Sequence, residues 1–336
     1  MTISPEWIIG LMLAWLLIAA LLSPLEALGW WAGWFRGLED APPVAEASPP
    51  AAPAPDTRRY VAYLTGIASA AEGVHLPREQ RFLEALAARL PDTVLIGDIF
   101  PYSITHRALT GQRVFAWFWR YIFSRKTQGS PVGFLINLRN LFQVLVSADS
   151  RYGPIYNQGG AALIINALRR HGYPFGSGTP VTLIGYSGGG QICLGAAPYL
   201  KAMLKAPITL ISLGGVLCSD PGITAVERLY HIQGSRDWVQ RIGEVVFPGR
   251  WPLLPNSTWN RARTQGRIEI IHPGPFSHTG KGGYLDDETR LPDGRTCLEV
   301  TLDTLVGLIQ RCPSPPAKPR RRRSLRRSRH SVHTPM

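Results

Sequence analysis

Apolar and polar positions change their rhythm several times along this chain. Residues 7–22 form an unbroken apolar run. The apolar character then continues to Phe35, interrupted after Ser23-Pro24 only by Glu26. Residues 41–55 (APPVAEASPPAAPAP) have no apolar face at all and read as an extended, semi-rigid linker. From residue 60 onward, short β-branched or apolar runs alternate with longer stretches of helical period. The pattern predicts strands at 60–64, 94–99, 181–184, 208–213, 229–233 and 267–271. It predicts helices at 76–90, 157–171, 191–204 and 301–309.

Strand–helix alternation of this kind points to an α/β fold with a mostly parallel, doubly wound sheet. The alternation breaks at about 101–150. Pro101–Ala148 holds no acidic residue. It carries Arg107, Arg113, Arg120, Arg125, Lys126 and Arg139 among Phe115, Trp117, Phe118, Trp119, Tyr121, Phe123, Phe134 and Phe142. Two amphipathic helices fit this stretch, at about 112–123 and 132–146. Two readings are open for it. In one, the aromatics pack as a lid and the arginines face water. In the other, a basic aromatic helix touches an anionic lipid surface.

Length and charge add an outline of domains. At 336 residues and 45% hydrophobic, the chain has room for one domain of ordinary enzyme size plus appendages. Residues 7–28 reach the roughly 20 residues that a spanning helix needs. Trp30, Trp31, Trp34 and Phe35 follow where an interfacial aromatic belt would lie. No Lys or Arg precedes the run, so a retained anchor fits better than a cleaved signal peptide. Arg36, Arg58 and Arg59 on its carboxyl side put the following domain in the cytoplasm. The expected organisation is therefore a membrane anchor over 1–36, a linker over 37–58, a folded domain over 59–312 and a disordered basic tail over 313–336. The tail holds eight basic residues and no acid, and without them the formal charge falls from +13 to +5. With no interleaved aromatics, the tail suits anionic lipid and not specific nucleic acid. Cys193, Cys218, Cys297 and Cys312 show no metal-ligand spacing; a Cys297–Cys312 disulfide is left open.

The chemistry concentrates where the strand at 181–184 meets the helix at 191–204. Between them stands Gly185-Tyr186-Ser187-Gly188-Gly189, a G-x-S-x-G. A serine on so sharp a turn needs neighbours without side chains, and the turn lifts its hydroxyl above the sheet. On these residues the chain resembles the α/β-hydrolase superfamily, over about 59–311. The resemblance implies an α/β-hydrolase fold with 101–150 as a helical cap insertion. It also implies a Ser–acid–His triad in that chain order, each on a loop at a strand's carboxyl end.

Positions matching that order exist. Ser187 is the nucleophile candidate. Asp237, in Gly234-Ser235-Arg236-Asp237 after the strand at 229–233, is the acid candidate, with helix capping as its competing role and Asp220 as runner-up. His278, in Pro275-Phe276-Ser277-His278-Thr279-Gly280, is the base candidate, while His272 reads as structural. The oxyanion hole is expected from the Gly188 N–H and the loop after the first strand, at Gly66 and Ile67, with Ala68 as a substitute. Such chemistry needs no cofactor and no metal. The expected function is a membrane-anchored, lipase-like serine esterase acting on an apolar acyl ester, with the membrane as partner. The alternative is a catalytically inactive, membrane-bound interaction module of the same fold.

Overall fold

A computed structural model describes residues 59–68, 75–102 and 131–313, with the helical positions 10, 11, 14, 15, 17 and 18; within 131–136 it describes the backbone alone. The rest of the 7–28 run, the linker, the helix expected at 112–123 and most of the basic tail lie outside the described residues. Among the described residues, no helix is long and apolar enough to cross a membrane.

Six strands form one sheet: β1 (Arg59–Leu64), β2 (Thr93–Ile99), β3 (Val181–Tyr186), β4 (Ile208–Leu213), β5 (Arg228–Ile232) and β6 (Ile268–Ile271). All neighbouring pairs are parallel, in the order β2-β1-β3-β4-β5-β6. β3 and β4 are buried along their whole length, as continuous apolar runs in the middle of a parallel sheet should be. The chain moves outward from β1 to β2, then returns past β1 to lay β3 on its other side. The reversal lies between β1 and β3, and the carboxyl ends of strands at such a point are the usual ligand position in open α/β sheets.

Alternate residues of each strand feed two cores. Ala62, Leu64, Leu183 and Leu210 face one side. There they meet α2 (Pro131–Ala148), α3 (Gly153–Arg170), α4 (Gly188–Leu204) and α6 (Thr258–Thr264). Val61, Tyr63, Ile184 and Ile211 face the other side, against α1 (Pro77–Arg89) and α7 (Cys297–Arg311). A short helix, α5 (Trp238–Val246), follows β5.

Several sequence expectations shift. α7 runs well beyond 301–309 because Thr296 and Glu299 form a reciprocal capping box at its start. α3 begins at Gly153 rather than 157, with a proline in its first turn. α6 was not expected; it is capped by Ser257, whose hydroxyl accepts from the Asn260 N–H. The stretch at 101–150 contributes α2, but Arg139 does not face water or lipid: it is fully buried, and its guanidinium donates to the Tyr102 carbonyl. Two oxygens, the Tyr102 carbonyl and Asn140 Oδ1, accept from its Nη1 and hold it there. All four cysteines are free thiols. Cys297 and Cys312 stand at opposite ends of α7, about 22 Å apart along its axis, so they cannot form a disulfide.

Asp98, at the end of β2, ties the sheet edge to the last turn of α3. Its oxygens lie 2.7 Å from Arg170 Nη2 and 3.1 Å from His171 Nε2. Burial pushes its pKa up, but these two partners outweigh burial and hold it down at about 2. The folded value lies below the ordinary aspartate value of about 3.9, so the stabilisation is present above pH 4 and lost as pH falls toward 2. Urea unfolding at stepped pH checks this: D98N should remove that part of the acid dependence, and an unchanged pH profile would contradict it.

Candidate active site

β3 leads straight into Ser187, whose φ of 52° and ψ of −126° place a side-chain-bearing residue where glycine is normally required. α4 starts at the next residue. The flanking glycines are forced by close approach. A Cβ on Gly185 would lie 2.5 Å from the Gly190 Cα, and one on Gly189 would lie 2.6 Å from the Leu64 and Thr65 carbonyl oxygens. In both cases the obstruction is backbone. The G-x-S-x-G spacing is therefore what lets the end of β3, the start of α4 and the end of β1 meet at one point.

Ser187, Asp237 and His278 come together there. Ser187 Oγ lies 2.8 Å from His278 Nε2, and His278 Nδ1 lies 2.9 Å from Asp237 Oδ2. A carboxylate only accepts, so Nδ1 carries the proton in this pairing. Nε2 of the neutral ring is then the acceptor for the serine hydroxyl. The Asp237 side chain is fully buried and that of His278 is 12% exposed.

Each partner is held from behind. The Tyr186 ring stacks on the imidazole at 5.8 Å between centroids, and its hydroxyl donates to the His278 carbonyl at 2.7 Å. Burial, then the nearby carboxylates Glu79 and Asp237, push the Tyr186 hydroxyl far above its ordinary value, which keeps it a donor. Asp237 makes the contacts of both roles that the sequence set in competition. Oδ1 accepts from the Val239 and Gln240 N–H groups and so caps α5, while Oδ2 accepts from Tyr284 Oη at 2.8 Å as well as facing His278. Tyr284 in turn accepts from the Gly234 N–H at 2.7 Å, and burial beside Asp237 keeps its hydroxyl protonated.

The loop after β1 lies against the serine. A Cβ on Gly66 would sit 3.1 Å from Ser187 Cβ, and Ile67 Cγ2 would be 2.9 Å from a Cβ on Gly188. Gly188 opens α4, so its N–H has no carbonyl one turn back. The Ile67 carbonyl accepts from Asn140 Nδ2 at 2.7 Å. Asn140 is oriented by Arg139 Nη1, which donates to Asn140 Oδ1 at 2.9 Å. Both side chains are fully buried on α2, so α2 fixes the loop beside the hydroxyl.

The other candidates lie elsewhere. Asp220 caps a short 3-10 turn by accepting from the Gly222 N–H and pairs with Gln191; it does not reach His278. His272 Nδ1 lies 3.2 Å from the Gln233 carbonyl. No cluster of His, Cys, Asp and Glu among the described residues could hold a metal ion. Tyr284 and Asn140 escaped the sequence reading because each reaches the site by hydrogen bonding across a long stretch of chain. The arrangement can raise the nucleophilicity of a serine hydroxyl and store its proton on an imidazole. Comparison with protein-family models, curated proteins and solved structures returned no match to this chain.

Strain at Ser187 gives a stability test that does not depend on substrate. Ser187→Gly relieves the positive φ and should be more stable than Ser187→Ala by about 1 kcal/mol in urea unfolding. Equal stabilities would mean that the serine is unstrained.

Proposed function

We propose that this chain is a serine hydrolase of the α/β-hydrolase fold that cleaves carboxylic esters of apolar acyl chains. We propose further that residues 7–28 tether it to a membrane, with the catalytic domain in the cytoplasm. One observation carries the catalytic reading: a single imidazole lies within 2.9 Å of both Ser187 Oγ and the buried Asp237 carboxylate.

In this reading, Ser187 Oγ attacks the ester carbonyl while His278 Nε2 takes its proton. Asp237 keeps the proton of Nδ1 facing it and stabilises the imidazolium that forms. Negative charge gathers on the carbonyl oxygen, which the Gly188 N–H and the 66–68 loop would receive. His278 then protonates the leaving alkoxide. An acyl ester on Ser187 remains, and a water activated by the same imidazole hydrolyses it. Asn140 acts as a positioning residue, through its hold on the Ile67 carbonyl.

Steady-state hydrolysis of a short and a long chromogenic acyl ester tests this. Ser187→Ala, His278→Ala and D237N should each lower kcat by about 10³-fold or more. Full activity in Ser187→Ala would overturn the reading. A wild-type chain that folds but cleaves no ester would favour the inactive interaction module. N140D keeps the acceptor for Arg139 but removes the donor to Ile67. It should lower kcat by about 10- to 100-fold with KM little changed; an unchanged kcat would make Asn140 purely architectural.

A further inference from the structure

α5 is built inside out. Its buried residues are Gln240 and Gly243, whereas Trp238, Ile242, Val245 and Val246 point to solvent. Surface helices of folded domains normally do the reverse. The exposure is substantial, at 70% for Trp238 and 71% for Val245. The following loop extends the same character. Trp251, Leu253 and Leu254 are exposed, with Leu253 at 84%, and Pro252 and Pro255 between and beside them are exposed too.

This surface is fastened in place. Trp251 Nε1 donates to the Val245 carbonyl, which joins the loop to α5. Asn260 Nδ2 donates to the Trp251 and Leu254 carbonyls at 2.7 and 2.9 Å, which joins it to α6. The prolines stiffen what lies between. An exposed apolar patch fixed this firmly marks an interaction site.

Charge selects the partner. Residues 238–268 contain one acid, Glu244, against five arginines. Glu244 is already neutralised by Arg250, at 3.2 Å. The exposed Arg236, Arg241, Arg261 and Arg263 have no carboxylate partner among the described residues. Arg263 lines a cleft with Pro252 and Pro255, so a free cation stands beside the apolar loop. Tryptophan and leucine flanked by unpaired arginines fit the headgroup region of an anionic bilayer, where apolar rings enter and cations meet phosphate.

We propose that α5 and the 247–257 loop form a docking surface that inserts shallowly into an anionic lipid leaflet. It is formed by residues other than the 7–28 run and the basic aromatic stretch of 101–148. The docking stands without the catalytic reading. Its consequence rests on that reading: the surface begins at Trp238, next to the carboxylate that faces His278, so docking would bring the site to the acyl chains.

The test uses the full chain with Leu253→Cys, labelled with an environment-sensitive fluorophore; the native thiols are buried. A second protein labelled at Glu84→Cys, exposed on α1, is the reference. Both are reconstituted into phosphatidylcholine vesicles with and without phosphatidylglycerol. The probe at 253 should shift to the blue and lose emission to a nitroxide carried high on the acyl chain. It should lose less to one carried near the chain end, and the effect should weaken without phosphatidylglycerol or when Arg241, Arg261 and Arg263 become glutamine. The probe at 84 should stay in water. A probe at 253 that behaves like the one at 84 overturns the proposal. One that shifts but ignores the nitroxide lipid also overturns it, because a second copy or residues 103–130 would then cover the face. Neither readout requires ester cleavage.

Discussion

A single imidazole shared between a hydroxyl and a carboxylate is the contact to which the rest of this structure answers. Its three members come from the ends of β3, β5 and β6, which are not all neighbours: β4 lies between β3 and β5. For the members to meet, the loop after β4 must leave the space above the sheet empty. Gly214 does this with a φ of 58°, since a Cβ there would lie 2.9 Å from Asp237 Oδ2 and 2.7 Å from the Tyr284 ring. Parallel pairing sets the heights of the strand ends, and small residues between them keep the lines of approach open.

Asp237 shows how local folding and chemistry use one group. As the cap of α5, one oxygen satisfies two N–H donors that a helix start leaves unpaired. That fixes the carboxylate plane and leaves the other oxygen aimed at His278 and Tyr284. Capping and orientation therefore do not compete. The same economy appears on α2, where buried Arg139 orients Asn140, whose amide in turn holds the loop beside Ser187.

Much of this was legible in the residue order, for local reasons. The serine turn is readable because an apolar strand, a tight turn and a helix follow within a few residues, and only glycine fits at 185 and 189. Ser187, Asp237 and His278 were readable because each follows a recognisable strand. Tyr284 and Asn140 were not, since an amide or a phenol joining a site across 47 or 73 residues leaves no periodic trace. Arg139 was misread because composition suggests that arginine seeks water, whereas two buried acceptors decided its place. The inverted face of α5 was hidden for a related reason. Its amphipathic pattern is plain in the sequence, but which side faces outward depends on Gly243 packing against the Leu217 backbone.

The most direct test of the central contact is covalent capture of the serine. Intact chain treated with a fluorophosphonate, then digested and mapped by mass spectrometry, should carry one adduct on Ser187. Labelling should fall away in the folded His278→Ala protein, where the hydroxyl has lost its base. Absence of adduct on a folded wild-type chain, or labelling that persists undiminished without His278, would contradict an activated hydroxyl at this turn.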